Sequence, residues 1–199
     1  MIIWVICLSL LKNTIMANMM TTYVKIVNLN DETRKKVLDL FSTPENSSYV
    51  NVLENLNKVY GESFSDFDGV GRDWMDNNVG SKSLEIETSS DGEESDYFDL
   101  ILLSAWNVPT GYLEKLTSVL NEIDEEVALY GTYEDESYEP MGAFVYAYDY
   151  DDMEDYDEVD SEKMWEDDDY REEMHDELHE HRDSLWESYL EVKKDREEE

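Results

Sequence analysis

The sequence has few residues of the kinds that build cross-linked, metal-bound or basic sites. It contains one cysteine, Cys7, three prolines, and only 15 lysine and arginine residues among 199. A single cysteine excludes an internal disulfide framework and a cysteine-rich zinc site, and it suits a reducing, cytoplasmic compartment. Direct binding to nucleic acid or to an anionic membrane needs clustered basic side chains, so neither kind of partner is expected.

The sequence also lacks an apolar run long enough to cross a membrane. The apolar stretch at residues 1–11 is about half the roughly 20 residues that a spanning helix needs. No basic stretch precedes it, and three methionines, Met16, Met19 and Met20, come just before the first predicted strand. We interpret residues 1–20 as an apolar extension upstream of a natural start at one of these methionines, with a secretory signal as the alternative.

Acidic residues are abundant instead. The chain has 51 aspartate and glutamate residues, a net charge of −36 and a pI near 4.1, yet 41% of it is hydrophobic and 12% aromatic. That apolar content is enough for a packed core, which indicates an acidic folded protein and not a disordered one. Residues 149–199 alone carry 25 acidic and 6 basic side chains, so the C-terminal quarter holds more than half of the net charge.

The hydrophobic pattern predicts an α+β domain over residues 21–148. Alternating apolar and polar residues indicate strands near residues 22–28, 82–90, 95–106, 127–135 and 142–150. Apolar residues at spacings of three and four indicate helices over residues 32–41, 47–61 and 109–123, whereas residues 62–73 look like a polar turn region. This order predicts an antiparallel sheet with helices on one face, in a ferredoxin-like arrangement.

The acidic C-terminal quarter divides into two predicted parts. Residues 149–160 are expected to be an acidic linker, extended or disordered, because such densely spaced like charges repel one another. Residues 161–199 predict a long acidic helix that Ser161 caps. One side of this helix carries an apolar stripe, which is expected to pack on the sheet, on a second copy in a homodimer, or on another protein: Tyr170, Met174, Leu178, Leu185 and Tyr189.

Two local patterns flank predicted strands in the α+β domain. The first begins at Trp74 and includes Asn78, Gly80, Ser81 and Lys82, and the second runs from residue 103 through Trp106 to Pro109. These residues resemble the Api-like family of phages and plasmids, which has an Asn-Trp-Gly-Thr-Lys-Trp-Asn run before one strand and a Trp-x-x-Pro-Pro element after another. The resemblance implies a ferredoxin-like fold over residues 20–150 and a mobile-element origin, and it supplies no catalytic residues. Both tryptophans are expected at the core or its rim.

Nothing in the sequence indicates an enzyme or a cofactor. His175 and His179 are four residues apart, so a helix places both imidazoles on one side, with Asp176 and Glu180 nearby. The zincin pattern requires glutamate directly after the first histidine, however, and no distant third ligand can be named, so we predict no metal site. Glycine-rich phosphate loops and the Gly-x-Ser-x-Gly nucleophile motif are also missing from the sequence.

The acidic helix suggests DNA mimicry. Residues 162–199 contain 17 acidic side chains in 38 residues, or about one per 3.4 Å of helix axis, which matches the phosphate spacing along one DNA strand. In its density of acidic side chains the helix resembles the Ocr and ArdA classes of antirestriction DNA mimics. The candidate partner-binding acids are Asp151, Asp152, Glu154, Asp155, Asp167, Asp168, Asp169, Glu172, Glu173, Asp176, Glu180 and Asp183.

We therefore hypothesise a phage or mobile-element accessory protein that inhibits a host nucleic-acid-acting defence enzyme. Its expected partner is a DNA- or RNA-handling protein with a basic cleft, met in the host cytoplasm, and the protein itself is expected to bind neither nucleic acid nor membrane. The alternative is a non-enzymatic adaptor that recruits another protein through the apolar stripe, in which case the acids only keep it soluble.

Overall fold

The computed structural model describes residues 18–43, 47–88, 97–157 and 159–198. These residues form one six-stranded sheet in the order β2-β3-β1-β4-β5-β6, and every neighbouring pair of strands is antiparallel. The predicted α+β class and antiparallel sheet are confirmed. The strands are β1 (Met19–Val27), β2 (Leu84–Thr88), β3 (Tyr97–Ala105), β4 (Ala128–Asp135), β5 (Met141–Ala147) and β6 (Tyr150–Asp155).

Seven helices accompany the sheet within the described ranges. They are α1 (Asp31–Leu40), α2 (Val52–Tyr60), α3 (Phe67–Val70), α4 (Arg72–Asn78), α5 (Thr110–Asn121), α6 (Ser161–Glu166) and α7 (Asp168–Glu197). In the part of the chain that the structure describes, no helix has both the length and the apolar character that crossing a bilayer requires. Residues 1–17 of the predicted N-terminal extension, with Cys7, lie outside the described residues. Met19 and Met20 belong to β1, which begins earlier than predicted.

Helices cover both faces of the sheet. Helices α1 to α5 pack on the first face, in a core with Val24, Ile26 and Leu100, whereas α6 and α7 pack on the second face against β4 and β5. The helices predicted within residues 21–148 therefore share one face, as expected, and the C-terminal helices cover the other face. The reason is visible in β5, whose seven residues are all buried, because a strand that is apolar on both sides needs cover on both sides.

The first-face core follows the spacing that the sequence predicts. Leu113, Leu116 and Leu120 of α5 point inward and have no exposed surface. Two buried polar groups satisfy each other there: the Tyr112 hydroxyl donates to Asn55 Oδ1 at 2.8 Å, and the Asn55 amide donates to the Leu40 carbonyl at 2.9 Å. Burial raises the pKa of Tyr112 far above its usual range, so the hydroxyl remains a donor. This chain of hydrogen bonds joins α5, α2 and α1.

Residues 62–73 are not the plain turn region that the sequence predicts. The Asp66 carboxylate accepts from the Gly69 amide at 2.9 Å and begins the short helix α3, which α4 follows directly. Trp74 of α4 lies edge-on against Tyr60 and Phe64, with 5.0 Å between ring centroids in each pair. Short polar helices escape a periodicity test, because a single turn shows only one or two apolar contacts.

The acidic segment predicted as a linker over residues 149–160 is partly a strand. Residues of β6 pair with β5 after a two-residue turn in which Asp149 adopts a positive φ of 52°. Like charges are tolerated here because successive side chains point to opposite faces, and because acidic side chains suit an exposed sheet edge. The Tyr133 hydroxyl also donates to Asp155 Oδ1 at 2.6 Å, which ties the end of β6 to the first face.

The helix predicted over residues 161–199 is two helices with a break at Asp167. The Asp160 carboxylate, and not Ser161, caps α6, and the Asp167 carboxylate caps α7 by accepting from the Asp169 and Tyr170 amides at 3.1 Å each. The Arg171 guanidinium donates to the Met164 carbonyl at 2.7 Å and fixes the two helices together. Asp167 has the extended backbone of a helix N-cap, so α6 ends at this residue and α7 begins after it.

The apolar stripe of α7 packs on the second face of the sheet. Met174 and Leu178 contact Met141 and Met164, with Tyr170 partly buried beside them. Leu185 and Tyr189 contact Ala128, Ala143, Val145 and Ala147, and the Trp186 ring stacks on Tyr130 with 4.6 Å between centroids. Of the three surfaces considered for this stripe, the protein's own sheet is the one that it covers.

Truncation of a buried leucine of α7 is expected to destabilise the protein far more than truncation of an exposed one. Leu178 is 3% exposed and Leu190 is 43% exposed, and both lie within the same helix. Leu178→Ala should lower the free energy of unfolding by about 2–5 kcal/mol, and Leu190→Ala by less than about 0.5 kcal/mol. Urea unfolding monitored by circular dichroism measures both. Equal effects would contradict the docking of α7.

Candidate functional site

A row of exposed carboxylates runs along α7 on the side opposite its apolar stripe. Its members recur every three or four residues, which places them on one side of the helix. We call this row the acidic ridge, and its residues are Asp169, Glu173, Asp176, Glu180, Asp183, Glu187 and Glu191. At a rise of about 1.5 Å per residue the ridge extends for about 33 Å, with neighbouring carboxylates about 5 Å apart along the axis.

The sheet holds the acidic ridge in place. Besides the buried stripe, several polar contacts link α7 to the strands or to their connections. His175 Nε2 lies 3.1 Å from Glu134 Oε2, Lys193 pairs with Glu126, and the Arg196 guanidinium donates to the Asp149 carbonyl at 3.0 Å. The hydrogen bond to Glu126 raises the pKa of Lys193, so this ammonium group stays charged. The carboxylates are therefore displayed on a fixed helix.

The structure divides the acids predicted on this helix into three groups. Asp169, Glu173, Asp176, Glu180 and Asp183 belong to the ridge, and Glu172 is exposed beside it. Asp167 and Asp168 lie at the start of α7, where one caps the helix and the other pairs with Arg171 at 2.8 Å. The sequence prediction missed Glu187 and Glu191, although they continue the same spacing.

The acids predicted in the linker occupy β6 and face two directions. Asp152 and Glu154 lie opposite Val145 and Ala143, so they share the second face with α7, and Glu154 Oε2 is 3.7 Å from His181 Nε2. Asp151 and Asp155 point to the first face, away from the ridge. The twelve predicted acids therefore do not form one continuous surface.

A cavity of about 410 Å³ lies beside α7 and over β1, β3 and β4. His175 and His179 both line it, as their spacing predicts, together with Tyr23, Lys25, Glu134 and Arg182. Burial, and then the charge of Arg182, lower the pKa of His179, which favours its neutral form. Among the described residues no group of three histidine, cysteine or acidic side chains is arranged to hold a metal ion.

The two sequence patterns that flank β2 and β3 meet at one end of the sheet. The Ser81 hydroxyl donates to the Ala105 carbonyl at 2.9 Å, and Lys82 Nζ lies 4.7 Å from the centroid of the Trp106 ring. Trp106 is 43% exposed and has a φ of 79°, which is rare for a large side chain. Trp74 is packed in the core rim, as predicted, whereas Trp106 presents its ring to solvent.

Comparison of this chain with protein-family models, with curated proteins and with solved structures finds no match. The fold and the site therefore define the class of protein by geometry alone. It is an α+β protein that displays a ridge of carboxylates on a helix docked to an antiparallel sheet.

The crowding of like charges predicts that salt stabilises this protein. Six successive pairs along the acidic ridge are three or four residues apart, and each costs about 0.2–0.5 kcal/mol at low ionic strength. Raising NaCl from about 10 mM to about 1 M shortens the Debye length from about 30 Å to about 3 Å and screens this repulsion. The melting temperature should therefore rise by several degrees.

Differential scanning calorimetry at the two salt concentrations measures this effect. A triple variant with Glu173→Gln, Glu180→Gln and Glu187→Gln serves as the control, and its melting temperature should depend less on salt. A melting temperature that falls as salt rises would mean that attractive ion pairs dominate the surface.

Proposed function

We propose that this protein is a non-enzymatic inhibitor of phage or mobile-element origin that occupies the basic cleft of a host DNA- or RNA-handling defence enzyme. The observation that carries this proposal is the acidic ridge, a straight row of seven exposed carboxylates on a docked helix. Lysine and arginine side chains that bind phosphates also bind carboxylates, arginine in a bidentate manner. A ridge of this kind therefore competes with a nucleic-acid strand for the same side chains.

The docking of α7 supports competition over simple solubilisation. A flexible acidic tail loses conformational freedom when it binds, and this loss reduces its affinity. The carboxylates of the ridge are already ordered, because Met174, Leu178, Leu185 and Tyr189 fix the opposite side of the helix. The net charge of −36 also steers the protein towards a basic cleft and accelerates association at low salt.

The strand order supports the proposed ferredoxin-like arrangement. The first four strands lie in the order β2-β3-β1-β4, with helices between β1 and β2 and between β3 and β4. Strands β5 and β6 extend this sheet at the β4 edge and give α7 its platform. The Api-like resemblance and a cytoplasmic location in the host remain predictions that accompany this proposal.

The adaptor function receives less support, because the apolar stripe is occupied. Leu178 and Leu185 are 3% and 5% exposed and lie against the sheet. A partner helix can reach them only if α7 leaves the sheet, which exposes a large apolar surface on β5 as well. The ridge needs no such rearrangement.

The proposal is tested by competition against a labelled DNA duplex. Purified restriction endonucleases and other DNA-binding defence enzymes are incubated with a fluorescent duplex, and the protein is added at increasing NaCl concentrations. We expect the protein to displace the duplex from at least one enzyme, with an affinity that falls steeply as salt rises. Fluorescence anisotropy measures the displaced fraction.

Two triple variants separate the ridge from the overall charge. Glu173→Gln, Glu180→Gln and Glu187→Gln remove three charges from the ridge, whereas Glu62→Gln, Asp68→Asn and Asp76→Asn remove three exposed charges from elsewhere. The ridge variant should lose inhibition by at least tenfold, or about 1.4 kcal/mol, and the control by less than threefold. Equal losses would show that only net charge matters. A lack of displacement from every enzyme would refute DNA mimicry.

A further inference from the structure

The two edges of the sheet differ in how they are covered. At the β2 edge the protein's own chain closes the strand: the Val50 amide donates to the Ile86 carbonyl and the Thr88 amide to the Ser48 carbonyl, both at 2.9 Å. At the other edge, β6 is the last strand, and in the described part of the chain no segment pairs with its outer side. An open strand edge is a template for another strand.

The register of β6 shows which backbone groups face outward. The Tyr156 amide donates to the Met141 carbonyl at 2.7 Å, so these two opposite residues form a hydrogen-bonded pair. Such pairs alternate along an antiparallel ladder, which places Asp152 and Glu154 in hydrogen-bonded pairs with β5. The amides and carbonyls of the three intervening residues, Asp151, Met153 and Asp155, therefore point away from the sheet.

The side chains of these three residues lie on the first face beside two hollows. The larger hollow, about 700 Å³, lies between α5 and the β5–β6 turn and has an acidic lining that includes Glu114, Glu122 and Asp151. The smaller hollow, about 380 Å³, is lined by Trp106 and by Met153, which is 43% exposed. Asp151 and Asp155 are about 13 Å apart along the strand, so alternate residues of an added strand reach both hollows.

We propose that β6 accepts an extended basic segment of another protein as a seventh strand of the sheet. The backbone of the segment pairs with Asp151, Met153 and Asp155, a lysine or arginine enters the acidic hollow, and an apolar side chain or lysine stem lies against Trp106 and Met153. Charge complementarity selects this occupant. Pairing between the β6 strands of two copies would instead place like charges opposite each other. This surface is separate from the acidic ridge and does not depend on its function.

A short peptide tests strand addition directly. The probe is a blocked peptide of roughly nine residues that alternates lysine and threonine, long enough to span β6. We expect nuclear magnetic resonance to show slower hydrogen exchange at the Asp151, Met153 and Asp155 amides on binding, and no change at Asp152 and Glu154, whose amides already bond to β5. A peptide of the same charge with methylated backbone nitrogens should bind at least tenfold more weakly, because it cannot donate to β6.

A charge-neutral variant of β6 provides the complementary test. Met153→Pro removes an outward donor without breaking a hydrogen bond to β5 or changing the net charge, and proline is tolerated at an edge position of this kind. Met153→Pro should weaken binding of the unmethylated peptide at least tenfold, and Met153→Ala, which loses the side chain but keeps the outward donor, should weaken it clearly less than Met153→Pro does.

Three results would overturn strand addition. They are equal affinity of the two peptides, unchanged exchange at the three outward amides, and a dissociation constant no better than about 1 mM at low salt. The first would mean that charge alone holds the peptide. Each is measured on the wild-type protein, so the outcome does not depend on how the proline variant folds.

Discussion

The docking of α7 on the second face of the sheet is the interaction on which the display of acidic groups depends. An isolated helix with this many like charges at spacings of three and four residues would be marginal in water. Burial of Met174, Leu178, Leu185 and Tyr189 against β4 and β5 supplies the free energy that the charged side opposes. The same four residues fix the rotation of the helix about its axis, so they also decide which carboxylates face solvent.

The charge distribution and the sheet together explain why the molecule tolerates a net charge of −36. The charges at the ends of α7 have the signs that the helix dipole favours. Asp168 and Asp169 lie in its first turn, and Lys194 and Arg196 lie in its last turn. Basic residues near the sheet are used at specific contacts, such as Lys193 with Glu126 and Arg171 with the α6 backbone. Most acidic residues in the described ranges lie at exposed positions, where water and salt screen them.

Much of the first-face core was predictable from local patterns, because β1, β3 and α5 bury side chains at the periods that strands and helices impose. The end of α2 at Gly61, with its φ of 69°, was predictable for the same local reason. Strand β6 was not predictable from local patterns, because it forms only through pairing with β5. Its composition alone indicates an extended or disordered chain. The continuous apolar character of β5 does indicate that helices pack on both faces of the sheet.

The ridge was partly predictable and the edge site was not. Once an apolar stripe is recognised, the opposite side of the helix follows from geometry, and extending that rule reaches Glu187 and Glu191. The break at Asp167 depends on a competition between two carboxylate caps, which spacing alone does not resolve. The outward backbone of β6 depends on the register with β5, and register is a tertiary property.

The central place of β1 has a consequence for how the chain reaches this structure. Thr22 pairs with Leu102 on one side and with Tyr133 on the other, partners that lie far along the sequence. Strand β1 is the first described strand to be synthesised, and its nearer neighbour in sequence, β3, begins only 97 − 27 = 70 residues after β1 ends. Contacts between such distant segments slow folding, and α7 can dock only after the β4–β5 hairpin has formed. Among the described elements, α7 therefore docks late, once the sheet that it covers has formed.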